Sequence, residues 1–174
     1  MLSSSTIVKP QFRIRTILIV MACIALAVSV SVQIIRNQPP RWKPYTAASL
    51  QTALDQNEAV LITLSADWSW NVRIHERTAI NSIEAFQAIR TSGLTTLRAD
   101  ATNADPAVMQ LMKDNGLTSV PAFLLYNPTF RREPIILKDF VSEEQLLNAI
   151  RFNSERSQNK EMDKKDSILR ANLR

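Results

Sequence analysis

Residues 61–76 read LITLSADWSWNVRIHE, and the fold of the chain turns on how this stretch is parsed. An apolar, β-prone run (Val60, Leu61, Ile62, Leu64) stops at Ser65-Ala66-Asp67-Trp68, and a helical pattern begins almost at once with no Gly or Pro between. That pattern predicts a buried strand over 60–65 feeding directly into a helix over 69–77, the first half of a βαβ unit. A helix N-terminus at the carboxyl end of a strand gathers unpaired N–H groups and partial positive charge. Thiolates, carboxylates and phosphates are stabilised at such a place.

On either side the signals alternate between helix and strand. Residues 46–56 carry a polar cap and apolar Leu50 and Leu54 at helical spacing. A further helix is expected over 82–91, burying Ile83, Phe86 and Ile89, and then a strand over 94–100. Asp105-Pro106 is a helix start, with Asp as N-cap and Pro at the first helical position. That helix runs through Val108, Leu111 and Met112 to a stop at Gly116. Residues 122–126 read as a buried strand, Asn127-Pro128 as a turn, and 134–138 as a shorter returning strand. Ser142-Glu143-Glu144-Gln145 is a capping box, with Val141 and Leu146 as its hydrophobic staple. The last helix is expected to end near Asn153, with 154–174 charged and weakly patterned, as frayed helix or disorder. The order α, β, α, α, β, α, β, β, α, a parallel crossover followed by an antiparallel hairpin and a closing helix, describes an α/β sandwich.

Ala66-Asp67-Trp68, followed by a four-residue motif and a basic residue, resembles the active-site turn of the thioredoxin superfamily. The likeness is to the C-terminal thioredoxin-like domain of bacterial transmembrane thiol:disulfide interchange proteins. It extends through Arg98-Ala99-Asp100-Ala101-Thr102-Asn103, Asp105-Pro106, Ser119-Val120-Pro121 and Glu133-Pro134-Ile135-Ile136-Leu137, in order and approximate spacing. The stretch covered is about 59–150, without the large multi-span membrane domain of full-length members. The resemblance implies a thioredoxin-like α/β sandwich.

In that family the four residues are Cys-x-x-Cys; here they are Ser69, Trp70, Asn71 and Val72. The family's chemistry needs a low-pKa thiolate at the helix N-terminus and a second thiol to resolve the mixed disulfide. A serine hydroxyl has no accessible anion near neutral pH, and valine has no nucleophile. The resemblance also puts Thr63 where many thioredoxins keep a buried acid, and Val120-Pro121 at the family's cis-proline loop facing the turn. Ser69 is expected as a helix N-cap. The alternative is that its hydroxyl and the free N–H groups hold an incoming thiolate, as in some glutathione transferases of this fold. Trp68 matches a family aromatic beside the active site. Trp70 falls where the side chain commonly faces solvent, and either offers a partner contact or folds back onto the domain. His75, Glu76 and Asp67 read as surface residues.

The net charge of +5 suggests a nucleic-acid binder until it is divided along the chain. Residues 1–44 carry six Lys/Arg and no acid; residues 45–153 carry nine basic and twelve acidic side chains; residues 154–174 carry six and four. The folded part is therefore mildly acidic, which excludes a basic nucleic-acid face as its organising feature. One cysteine (Cys23) and one histidine (His75) exclude an intramolecular disulfide and disfavour a zinc site.

Residues 16–35 form a run of twenty without charge, long enough to span a hydrocarbon core of ~30 Å. The rival reading is a cleavable signal peptide, whose core is usually ~7–15 residues. Ala27-Val28-Ser29 offers a cleavage site, and Val20-Met21-Ala22-Cys23 faintly resembles a lipoprotein box. Apolar sequence nevertheless continues through Val32, Ile34 and Ile35, so the expectation is an uncleaved anchor. Lys9, Arg13 and Arg15 before the span nearly balance Arg36, Arg41 and Lys43 after it. The expected organisation is a short basic N-terminus (1–15), a transmembrane anchor (16–35), a Pro-rich linker (36–44), a thioredoxin-like domain (45–153) and a charged flexible tail (154–174). The expected function is a redox-inactive module, without cofactor or metal. It sits outside the cytoplasm on a bacterial-type cytoplasmic membrane and binds an unidentified protein or peptide through Trp68, Ser69, Trp70, Val120 and Pro121. The alternatives are a glutathione-binding transferase using Ser69 and a degenerate spacer domain.

Overall fold

Strand β2, Val60–Ser65, is buried at every residue, and the rest of the domain is laid against it. The computed structural model describes residues 11–69, 79–139 and 141–172. It divides into two units, one ending at Gln38 and one starting at Pro39. The first is helix α1, Gln11–Arg36, in which Thr16–Ile35 is long and apolar enough to cross a membrane. Within it the Ser31 hydroxyl donates to the Ala27 carbonyl at 2.8 Å, satisfying a polar group in an apolar helix.

The second unit holds β1 (Lys43–Pro44), α2 (Ala47–Asp55), β2, α3 (Ile83–Thr91), β3 (Thr95–Asp100), α4 (Pro106–Asp114), β4 (Ala122–Tyr126), β5 (Ile135–Lys138) and α5 (Glu143–Asn172). The sheet order is β1-β3-β2-β4-β5; β1, β3 and β2 are parallel, while β4 and β5 return antiparallel. Because side chains alternate along a strand, β2 feeds two cores. Val60, Ile62 and Leu64 pack with Leu97, Leu124 and the α2 and α4 residues Leu54, Val108, Leu111 and Met112. Leu61 packs on the other face with Phe123, Leu125, Ile89 of α3 and Leu146 and Ile150 of α5. This is the α/β sandwich expected from the sequence.

The helices start where their caps require. Thr46 and Ser49 exchange a reciprocal capping box at 2.9 Å each way. Ser82 accepts from the Ala85 N–H at 3.0 Å and Asp105 from the Ala107 N–H at 2.8 Å. Ser142 and Gln145 form the second capping box, with Val141 and Leu146 buried together beside it. Gly93 and Gly116 follow α3 and α4 with φ of +61° and +63°, a conformation that costs glycine little.

Three expectations are corrected. Residues 36–44 are not all linker: Lys43 and Pro44 form edge strand β1 on Leu97 and Arg98, and Trp42 packs on the second core. An edge position tolerates Pro44, which has no N–H to donate. Ile83 is exposed and Phe86 half-buried, because Ala85 and Ile89, four residues apart, define the inward face of α3. The closing helix does not end near Asn153, and the tail is helical to Asn172. Residues 154–172 contain no Gly or Pro and are rich in helix-forming Lys, Arg, Glu and Gln. Tertiary contacts hold the first turns of that extension. The amide of Asn127 donates to the carbonyl and side-chain oxygens of Asn153 at 3.1 and 3.3 Å and to the Ser157 hydroxyl at 2.5 Å. The Asn127 side-chain oxygen meanwhile caps a 3₁₀ turn, Pro128–Phe130, by accepting from the Thr129 N–H at 2.9 Å.

Asn127 is almost fully buried, so truncating it strands partners that water does not reach. Asn127→Ala is expected to lower stability by about 2–3 kcal/mol in denaturant unfolding. Part of the α5 helical signal should be lost in circular dichroism. A change below ~0.5 kcal/mol would mean that α5 is held by other contacts.

Candidate functional site

The parallel β2–β3 pair and the antiparallel β2–β4 pair bring two connections to one end of the sheet. Ser65, the last residue of β2, is level with Asp100, the last of β3; one rung below, Leu64 is level with Ala122, the first of β4. The turn leaving β2 (Ala66 to Ser69) and the loop entering β4 (Val120-Pro121) therefore share that end. The Val120-Pro121 peptide bond is cis.

The turn is tied to its neighbour by a short polar chain. The Asp67 N–H donates to the Thr102 hydroxyl oxygen at 2.9 Å, and Thr102 donates both its N–H (2.8 Å) and its O–H to the Asp100 carboxylate. The Ala101 N–H donates to the Ser65 carbonyl at 2.8 Å, closing a second link. The Thr102 hydroxyl, then its backbone N–H, hold the Asp100 carboxyl below the usual aspartate range. Nothing in the sequence reading singled out this chain. Its only local signal is the Asp-x-Thr spacing of residues 100–102, a pattern typical of side chain-to-backbone turns.

Trp68 is 68 % exposed and projects into solvent, whereas Ser69 next to it is only 8 % exposed. The Ser69 N–H donates to the Ala66 carbonyl at 3.1 Å. Trp70, Asn71 and Val72, the expected helix from 70 onward and His75 lie outside the described residues, so the expected N-cap role of Ser69 falls outside them as well. On the opposite connection Pro121 is buried, and the half-buried Val120 side chain packs inward on the first core. No hydrogen bond to the Val120 peptide group occurs among the described residues.

Thr63 is buried and level with Arg98. With Arg98, Trp42 and Phe86 it lines a cavity of about 140 Å³. The Arg98 Nε–H donates to the Ser65 hydroxyl at 3.1 Å. Trp42, which the sequence reading assigned to the linker, is thus part of the structure around Thr63. Among the described residues no three His, Cys, Asp or Glu side chains converge on a metal-sized site.

Residues 41–128 match the model of a thioredoxin-like family. Solved structures with this arrangement include the oxidised C-terminal domain of DsbD from Neisseria meningitidis. It is 22% identical, with a TM-score of 0.53, and the match covers 65% of this chain and 99% of that one. The oxidoreductase DsbH is 11% identical, with a TM-score of 0.54, over 70% of this chain and 88% of that one. A thioredoxin from Thermus thermophilus is 15% identical, with a TM-score of 0.52, over 66% and 86%. At these identities the likeness is one of fold. No curated protein sequence matches the chain.

Asp100 gives a test of the tie between the two turns. Its carboxyl is held below the ordinary 3.8, so the stability it contributes is complete above that value and disappears as pH falls through the lower folded-state value. Asp100→Asn is expected to be less stable than the parent at neutral pH, with the gap closing as acid is added. A gap that stays constant through the acid range would show that ionised Asp100 contributes nothing to the turn.

Proposed function

The chain belongs to the thioredoxin-like family, and on that footing we propose that it is a membrane-anchored, redox-inactive member that binds an extended segment of another polypeptide. The observation that carries this reading is the residue set at the turn. Ser69 stands at the first cysteine position of the motif and Val72 at the second, and the single cysteine of the chain, Cys23, lies in α1. Dithiol exchange needs an attacking thiolate and a resolving thiol on the same domain. The folded unit from Pro39 onward supplies neither.

What the site retains is a recognition surface. Trp68 offers a large exposed aromatic face, and Val120 turns its side chain inward while its peptide group makes no hydrogen bond among the described residues. An extended peptide can pair with such a backbone through main-chain hydrogen bonds while an aromatic side chain covers it. In this proposal α1 is an uncleaved single-pass anchor in a bacterial-type membrane, and the domain lies on the extracytoplasmic side. The near-complete burial of Ser69 argues against the glutathione-transferase alternative, which needs that hydroxyl open to an incoming thiol. The spacer alternative makes no use of an exposed Trp68.

Two measurements test the proposal. The full-length protein in detergent should give no turnover of a disulfide substrate with any thiol donor, and a rate above the protein-free control would overturn the redox-inactive reading. Peptides selected on the protein from a displayed random library should bind Trp68→Ala about thirtyfold more weakly, the loss of an anchor worth ~2 kcal/mol. The unfolding temperature should hardly move, because the ring is mostly in solvent. Unchanged peptide affinity in Trp68→Ala would favour the spacer.

A further inference from the structure

The turn between β4 and β5 gathers more positive charge than it neutralises. Phe130 ends its 3₁₀ helix, and two cations from α5 sit against the ring: the Arg156 guanidinium carbon at 3.6 Å from the centroid and the Lys160 Nζ at 4.4 Å. Arg131 and Arg132 follow Phe130 directly. Residues 128–133 and Lys160 line a shallow, open surface cavity of about 370 Å³.

Two carboxylates answer two of these four cations. Arg131 pairs with Asp55 at 2.5 Å and also donates to the Leu54 carbonyl at 2.7 Å. Arg156 pairs with Glu133 at 2.8 Å. Arg132 and Lys160 are exposed and make no ion pair among the described residues. Lys160 is thus held against Phe130 beside the Arg156–Glu133 pair, with its own charge unmatched by a carboxylate among the described residues.

We propose that this cavity is a binding site for a phosphate monoester. Two uncompensated cations match the dianionic form of such a group, where a carboxylate would leave one charge unmet. An arginine fork with a lysine point charge is a recurrent way to hold phosphate oxygens. Thr129, which also lines the cavity, adds a neutral hydroxyl-bearing residue for the ester's polar remainder. Such a phosphate comes either from a free ester or from the head group of a phospholipid such as phosphatidic acid. The site lies at the end of the sheet opposite Trp68, since β4 runs from the Val120-Pro121 loop to this turn. It is independent of the peptide-binding reading.

Calorimetric titration of the full-length protein in non-ionic detergent with glycerol phosphate, against chloride at equal ionic strength, tests the site. Saturable binding is expected. Arg132→Gln and Lys160→Gln should each weaken it at least tenfold, since each removes a hydrogen bond to a charged group. Repeating the titration in nanodiscs with and without phosphatidic acid separates the sources. Binding lost only in the phosphatidic acid discs assigns the site to the lipid head group, and binding retained in both assigns it to a free ester. No heat beyond the chloride control, or unchanged affinity in both variants, overturns the proposal.

Discussion

The burial of β2 along its whole length and on both faces is the constraint on which the other features depend. A strand hidden on all sides must be paired along both edges, because each unsatisfied peptide group in the interior is costly. Here β3 satisfies one edge in parallel and β4 the other in antiparallel. This reversal of direction between the two neighbours forces the connection leaving β2 and the connection entering β4 to the same end. The meeting of the turn at Trp68 with the loop at Val120 is thus a product of topology, whatever residues occupy the two connections. Its chemistry is a separate matter, set by the side chains at the turn.

The turn leaving β2 has supports of its own. The Asp100–Thr102–Asp67 chain links the ends of β2 and β3 without any residue of the four-residue motif. The inward packing of Val120 likewise fixes the loop entering β4 from below. Both supports act on backbone geometry, so replacement of the motif residues leaves them in place.

Much of the fold was legible because its strongest signals are local. The mainly apolar runs of β2 and β4 match their observed bounds, and the polar start at Thr46 and the caps at Asp105 and Ser142 begin helices where hydrogen bonding requires them. What escaped was set by distant contacts. Strand β1 has two residues, one of them proline, and exists only because the edge of β3 receives it. The extension of α5 carries no apolar period after Ile150 and is held at its root by Asn127, 26 residues away from Asn153 in sequence. At the site, motif order placed Trp68, Ser69, Val120 and Pro121. The bond from Asp67 to Thr102 crosses 35 residues and has no counterpart in local pattern.

The length of α5 bears on how the protein melts. Beyond Lys160, α5 continues for about a dozen residues to Asn172 with the sequence EMDKKDSILRAN, half of it charged. A polar helix of that length is held chiefly by its own hydrogen bonds, and helices shorter than ~12–15 residues are marginal in water. The segment therefore unwinds over a broad temperature range while the sheet and its two cores give way in a single cooperative step. Far-ultraviolet dichroism, which counts both, reports a sloping folded baseline and an early apparent midpoint. Near-ultraviolet dichroism or calorimetry, which follow the packed core, report a later and sharper one. A single melting temperature is consequently not a property of the whole chain but of the probe used to watch it.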